Sequence, residues 1–329
     1  MAYTDYARGP DDPMVARIET VVSRFRELYS REAIAFDLEP DDSLGVLDSN
    51  VNGLPFLPEG EEIPLGEGGK QLTLLAQFDL ARLPANHFLP RAGILQFWIT
   101  CTQEDGAYGM GSELYSPTNQ KTFRVRFFPD PARPRPREEV QRLYRPDRSL
   151  SPVETEAALR PRFTLTRNTL PPACLEFEPR FVSLWNEHYP ERPLGSLDDL
   201  NTGRFDTYDY KVWKMFDPSG HRLGGFPWFT QLDPREGHLE FDHLLLQLDM
   251  DKYINWGGLR RRGLHHPLRE PAQGGLLADL LHLGLRVRRG GGRRGGPWGP
   301  RRPRGMPRPR ADRPRRNRPS ASGPAARDR

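Results

Sequence analysis

The chain has 329 residues, enough for one large domain or two ordinary ones, yet only 36% are apolar and 34 are proline. Part of it is therefore not expected to pack into a core. Two cysteines, Cys101 and Cys174, are too few for a disulfide framework or a cysteine metal cluster. Because no signal-peptide pattern and no apolar run of about 20 residues is present, we expect a soluble cytoplasmic protein without a membrane span.

The formal net charge of +4 conceals two parts of opposite sign. Residues 259–329 contain 20 Arg against four acidic residues, a net charge of +16, which leaves −12 for residues 1–258. An acidic body suits a basic protein partner, since opposite potentials attract. The Arg-, Gly- and Pro-rich tail would suit nucleic acid only if it is a genuine part of the protein.

The first predicted element is an amphipathic helix within an N-terminal region, residues 1–43. Asp11 or Asp12 can cap it and Pro13 can occupy its first turn. Apolar residues then recur every three or four positions, which predicts one buried stripe. That stripe comprises Val15, Ile18, Val22, Phe25 and Tyr29.

The following elements are mostly predicted strands. Residues 72–80, 93–100, 123–128 and 244–251 have strand-like apolar patterns. Residues 129–155 are dense in Pro and Arg and predict a linker or an extended cover segment. Residues 175–178 are interpreted as a strand and residues 181–188 as a short helix, whereas residues 200–216 fit either class.

One motif occurs twice. Gly-Leu-Pro-Phe at 53–56 precedes a strand with Gln77 and Asp79, and Gly-Phe-Pro-Trp at 225–228 precedes one with Gln247 and Asp249. Residues two apart in a strand share a face, so each copy has Gln and Asp on one face opposite an apolar row. We therefore predict a duplicated, mostly antiparallel α+β unit over residues 44–258.

The repeated Gln and Asp side chains have two interpretations. The favoured one is structural, because polar groups at strand ends usually satisfy backbone groups of neighbouring turns. The other is a polar site where the copies meet, which would make the protein a hydrolase or transferase. Its candidate catalytic residues are Asp79, Asp233, Arg235 and Asp249. The candidate binding residues are Gln77, Gln96, Gln231, Gln247 and Trp256. If the Gln and Asp side chains all point into backbone-bonded turns, the enzyme alternative loses these residues.

Known chemical motifs are missing from the sequence. Residues 66–70 resemble a phosphate-binding loop but lack its first Gly and the Ser or Thr after the Lys. No HExxH, paired-cysteine or GxSxG pattern is found. We therefore predict no cofactor and no metal site.

The chain resembles the YwqG-like family, a bacterial domain family of unknown function. The segments that carry the resemblance are residues 53–58, 75–84, 89–97, 224–235 and 244–257. The chain departs from the family at Asn52, where a second Gly is usual. The resemblance implies an α+β fold and brings no accepted catalytic residues. Similar proteins can be encoded near secreted bacterial toxins, which implies an immunity-type binding role.

The leading functional hypothesis is thus a non-enzymatic protein that binds another protein. The enzyme described above is one alternative, and nucleic-acid binding through the tail is the other.

The tail, residues 259–329, is interpreted as a displaced reading frame. One nucleotide further along, residues 259–266 can encode Ser-Gly-Val-Val-Ala-Phe-Ile-Thr, which is the strand that the family has there. Residues 275–285 can encode a segment that ends in Trp-Asp-Cys, the ending of the family. As written, residues from about 287 onward contain too few apolar side chains to offset the entropy of ordering, and we expect no fixed structure there.

The first prediction concerns this frame. Shifting codons 259–285 by one nucleotide should give a more soluble protein with a cooperative thermal transition. The shifted frame adds eight large apolar side chains, each worth roughly 1.5–3 kcal/mol when buried. The present tail instead offers arginines, which cannot enter a core unpaired, and would leave residues 244–250 with an exposed edge and face. Equal melting temperatures and solubilities for the two versions would refute both the frameshift and the duplicated sheet.

Overall fold

A computed structural model describes residues 12–102, 120–203, 207–217, 219–229, 233–236 and 241–256. These residues form four α-helices and seven β-strands, so the predicted α+β class is confirmed. The helices are α1 Pro13–Leu28, α2 Arg137–Leu143, α3 Phe177–His188 and α4 Tyr208–Lys214. The strands are β1 Ser30–Pro40, β2 Asn50–Val51, β3 Thr73–Asp79, β4 Ile94–Ile99, β5 Phe123–Phe128, β6 Leu159–Thr169 and β7 His221–Gly224. None of the described helices has the length and apolarity of a membrane span.

The seven strands form one sheet in the order β5-β4-β3-β2-β6-β1-β7. All neighbouring strands are antiparallel, as predicted. The longest pairing is between β1 and β6, from Ser30 opposite Thr169 to Pro40 opposite Leu159. This pair lies toward one end of the sheet, with β2 beside β6 and β7 beside β1.

The first helix follows the sequence prediction. Asp12 caps α1, and its Oδ1 accepts a hydrogen bond from the backbone N–H of Met14 at 2.9 Å. Pro13 takes the first helical position, where its missing N–H costs nothing. The helix ends at Leu28, after which the N–H of Tyr29 donates to the carbonyl of Phe25.

The helices α1 and α3 enclose an aromatic core. Phe25 lies at its centre, with ring centroids 4.8 Å from Phe177, 6.0 Å from Phe181 and 5.8 Å from Phe216. Edge-on and tilted contacts of this kind add to the free energy gained by burying the rings. The buried stripe predicted from the sequence therefore faces α3 and the end of α4.

A separate apolar core lies against the sheet. Ile34 and Phe36 of β1 and Phe78 of β3 belong to it, together with Leu246 and Trp256. A smaller cluster lies beneath α2, where the hydroxyl of Tyr144 accepts a hydrogen bond from the N–H of Leu74 at 2.7 Å. The Pro- and Arg-rich segment 129–155 thus contains a short helix that covers part of the sheet.

Two sequence predictions of strands are wrong. Residues 175–178 lead directly into α3, which begins at Phe177. Residues 244–251 form only an isolated bridge, between Gln247 and Arg222. The expected exposed face is also absent there, since Leu244, Leu246 and Leu248 are buried.

The two copies are arranged around one residue pair of the β1–β6 ladder, Asp37 opposite Arg162. Three residues before Asp37, Ile34 pairs with Leu223 of β7, and three residues before Arg162, Leu159 pairs with Val51 of β2. A two-fold rotation about the Asp37–Arg162 pair therefore exchanges the β2–β6 contact with the β7–β1 contact.

In each copy, a residue with left-handed backbone lies at the end of the short strand. Asn52 follows β2 with φ 64°, and Gly224 ends β7 with φ 71°. Asparagine tolerates this conformation better than most residues. Its amide also donates to the carbonyls of Thr155 and Ala157, at 2.8 and 3.3 Å. Asn52 thus provides in the first copy the left-handed backbone that Gly224 provides in the second.

The second prediction is that Gly224→Ala destabilises the protein more than Gly60→Ala does. Both glycines have positive φ, so both substitutions strain the backbone by about 1–3 kcal/mol. A Cβ on Gly224 would also lie 2.3 Å from the ring of Phe88, whereas a Cβ on Gly60 meets nothing within 4 Å. Urea midpoints measure the difference, and equal midpoints for the two variants would contradict the proposed contact with Phe88.

Candidate functional site

In the first copy, Gln77 is fully buried and fixes the turn that precedes β3. Its Oε1 accepts the N–H of Phe56 at 2.6 Å, and its Nε2 donates to the carbonyls of Val46 and Asp48 at 2.9 and 3.0 Å. Gln96 of β4 donates from Nε2 to Gln77 Oε1 at 2.8 Å and to the carbonyl of Phe56 at 2.7 Å. Two adjacent strands thus hold one turn through their amide side chains.

The second copy repeats this geometry around Gln247. Its Oε1 accepts the N–H of Trp228 at 3.0 Å, and its Nε2 donates to the carbonyl of Gly220 at 3.0 Å. Arg222 of β7 donates from Nη2 to Gln247 Oε1 at 2.8 Å, the role that Gln96 has in the first copy. Burial lowers the pKa of Arg222 to about 10, so the side chain remains charged at neutral pH.

The repeated aspartates also bond to backbone groups. Asp79 Oδ1 accepts the N–H of Ala81 at 3.0 Å and begins a 3₁₀ turn. Asp249 Oδ2 accepts the N–H of Gly220 at 2.7 Å, and its Oδ1 accepts the N–H of Met250 at 2.7 Å. These are the hydrogen bonds expected of turn-stabilising carboxylates.

Four further residues of this arrangement were missed at the sequence level. Ser49 Oγ accepts the N–H of Asp79 at 2.9 Å, and His221 Nδ1 accepts the N–H of Asp249 at 3.0 Å. Asn50 donates to the carbonyl of Leu54, and Arg222 donates to that of Phe226, four residues on in both cases. Extending the repeat a few residues before the Gly-Pro motif would have aligned these positions, although their residue types differ.

The two glutamine clusters lie on opposite sides of the β6–β1 pair, since β2 flanks β6 and β7 flanks β1. Each cluster is assembled from its own strands and turn. The hydrogen bonds of Gln77, Asp79, Gln247 and Asp249 described above lead mainly to turn backbone groups. Asp79 and Asp249 are thus engaged by turn backbone groups. The remaining candidate catalytic residues for the enzyme alternative are Asp233 and Arg235.

Asp233 and Arg235 belong to a buried ion-pair cluster. Arg235 Nη2 lies 2.6 Å from Asp233 Oδ2 and 2.7 Å from Glu176 Oε2, and the side chains of Asp233 and Arg235 are each 1% exposed. Burial disfavours the charge of Arg235, but hydrogen bonds from its guanidinium to Asp233 and the nearby carboxylates outweigh this and raise its pKa. The cluster joins the segment before α3 to residues 233–236.

The same cluster contains a potential set of metal ligands. One ligand atom each of Cys174, Glu176 and Asp233 lies within 4.8 Å of the others. However, the guanidinium of Arg235 is already paired with both carboxylates, and a metal ion would have to displace it. Burial raises the pKa of the Cys174 thiol well above its usual value, so the sulfur stays protonated and is a poor ligand. The geometry is that of an ion pair.

An open cleft of about 490 Å³ lies beside this cluster. Glu176 is the residue that both lines the cleft and bonds to Arg235. The guanidinium of Arg180 stands over the ring of Tyr29 at 5.0 Å, and both residues line the wall. The remaining lining residues are Leu175, Pro179 and Ser183. Because Asp233 and Arg235 are almost fully buried, the cleft brings neither of them to solvent.

The other candidate binding residues have separate positions. Trp256 is buried in the sheet core, and its indole N–H donates to the carbonyl of Leu248 at 3.0 Å. Gln96 is buried with Gln77. Gln231 lies outside the described residues.

Comparison with known proteins assigns the chain to a family. The family model described as domain of unknown function (DUF1963) matches residues 49–260, which is more than half of the chain and includes both glutamine turns. The chain belongs to the DUF1963 family. No curated protein matches the chain. Membership of DUF1963 does not by itself assign an activity to the chain.

The third prediction is that Gln77→Ala and Gln247→Ala each lower the free energy of unfolding by about 1–3 kcal/mol. Each change leaves buried turn amides and carbonyls without partners. Gln141→Ala, on the exposed side of α2, is the matched control and should change stability by less than about 0.5 kcal/mol. Chemical denaturation measures all three variants. Wild-type stability in either buried variant would show that the turn does not depend on its amide.

Proposed function

We propose that this protein is non-enzymatic and binds another protein, in the manner of an immunity protein that neutralises a toxin. One observation carries the proposal. The repeated Gln and Asp side chains that an active site between the copies would need are used to hold backbone turns. Polar side chains that bond to turns in this way serve the scaffold, which favours a protein that binds over one that catalyses.

The finer family assignment supports the same function. Within DUF1963, the chain resembles the YwqG-like proteins through residues 53–58, 75–84 and 224–235. Similar proteins can be encoded near secreted bacterial toxins, and this supports an immunity-type binding role. We propose that the protein acts in the cytoplasm, where an immunity protein meets a toxin that enters the cell.

Charge supports a protein partner as well. Residues 1–258 have a net charge of −12, which would attract a basic partner over long range and raise the association rate. The enzyme alternative has less support, because Asp233 and Arg235 are buried and paired with one another. Nucleic-acid binding depends on residues 259–329, which lie outside the described residues.

The fourth prediction tests this function directly. The full-length protein, titrated calorimetrically with the product of the gene adjacent to its own, should form a one-to-one complex and inhibit that product. The association rate should fall as salt rises, since an acidic body attracts a basic partner. Gln77→Ala, assayed well below its melting temperature, should bind like the wild type.

Two results would overturn the proposal. One is the absence of a complex with each adjacent gene product. The other is turnover of a small ester or phosphoester by the wild type that is lost in Asp233→Asn while the fold is retained.

A further inference from the structure

The strand β6 has one open edge. It pairs with β1 along its whole length, but on its other side the registered partner is Val51, opposite Leu159 alone. No other strand among the described residues pairs with that side of β6 between Pro161 and Thr169. We refer to residues 161–169 as the β6 edge. Its outward N–H and C=O groups are available to an additional strand.

The apolar face of the sheet reaches this edge and stops there. Ile34 of β1 is fully buried, whereas Leu165, directly opposite it on β6, is 45% exposed. Phe163, two residues away on the same face, packs only partly against the sheet core. A strand placed beside β6 would cover both side chains, because side chains of paired strands alternate in the same way on each face.

Charge defines the type of strand that fits. Within its eleven residues β6 contains three arginines and no acidic residue. Each arginine is directly opposite an acidic residue of β1. The pairs are Arg160 with Glu39, Arg162 with Asp37 and Arg167 with Glu32. Arg162 Nε also lies 2.8 Å from Glu39 Oε2. The strand that pairs with β6, which is β1, thus places a carboxylate opposite each arginine of β6.

We propose that the β6 edge binds an extended segment of the partner protein in which apolar and acidic residues alternate. This inference rests on the proposed function and specifies where and how the partner is bound. Its apolar residues would lie beside Phe163 and Leu165, and its acidic residues would lie on the other face, beside Arg162. Backbone hydrogen bonds supply affinity in such strand addition, and the alternating side chains supply specificity.

A second copy of the chain is a poorer occupant. Two β6 edges in contact would bring together two strands that contain arginine and no carboxylate, and like charges on neighbouring strands repel. The β6 edge is positively charged, whereas residues 1–258 as a whole are negatively charged. The long-range attraction of a basic partner to the acidic body therefore does not determine which strand binds at the β6 edge. A partner of net positive charge can still present one acidic strand.

The probe is a labelled synthetic peptide with the sequence of β1, Ser30–Pro40, because Phe36-Asp37-Leu38-Glu39 has the required alternation. Fluorescence anisotropy with the full-length protein should show saturable binding. The control peptide carries Glu32→Lys, Asp37→Lys and Glu39→Lys and should bind at least tenfold more weakly. Equal affinities for the two peptides would overturn the proposal.

Variants of the protein locate the site. Leu165→Lys should weaken binding of the acidic peptide at least tenfold. The matched control is Leu143→Lys on α2, where the leucine is 41% exposed, and it should leave binding unchanged. Arg162→Glu should reverse the preference, so that the lysine peptide binds more tightly than the acidic one. This gain of binding cannot result from misfolding, and its absence would overturn the proposal.

The two proposals can fail separately. If the adjacent gene product binds wild type and Leu165→Lys with equal affinity, the β6 edge is not its docking site although the protein-binding function stands. If sedimentation shows a wild-type dimer that Leu165→Lys dissociates, the occupant is a second copy, and the proposed partner strand is wrong.

Discussion

The antiparallel pairing of β1 with β6 is the constraint on which the rest of the sheet depends. The Asp37–Arg162 pair marks the two-fold axis between the copies, and each strand pairs on its outer side with the short strand of the other copy. The two copies are therefore interlocked, since β2 of the first attaches to β6 and β7 of the second attaches to β1. Each glutamine turn follows a strand that pairs with β1 or β6, although β1 and β6 lie outside both repeated segments of the sequence.

Each copy contains a buried glutamine whose side-chain oxygen accepts a hydrogen bond from another side chain. The donor differs between the two copies. In the first, β4 brings Gln96 to the carbonyl oxygen of Gln77. In the second, Arg222 of β7 donates to the carbonyl oxygen of Gln247. Each oxygen also accepts a turn N–H, from Phe56 or from Trp228, so this second donor fills its remaining acceptor site. Arg222 lies on β7 itself, so the second turn gains this donor from the strand that pairs with β1.

The sequence predicted those parts whose apolar period is regular. The stripe of α1 and the apolar strands β3, β4 and β5 follow directly from periodicity, and the repeated Gly-Pro motif located both glutamine turns. It did not predict β1 and β6. The alternation of β1 begins only at Phe36, and β6 has arginines on both faces whose acidic partners are identified only by the pairing. Nor could it predict that Glu176 meets Arg235, since 59 residues separate them and only tertiary packing joins them.

An open strand edge in a folded protein needs protection against pairing with its own copies, and β6 has the features that provide it. Pro161 lacks a backbone N–H, and Arg162 and Arg167 place positive charge at both ends of the exposed Thr-Leu-Thr segment, residues 164–166. The same features that oppose self-association favour a strand with carboxylates at alternate positions. Selectivity at this edge therefore arises from repulsion of the wrong strands as much as from attraction of the right one.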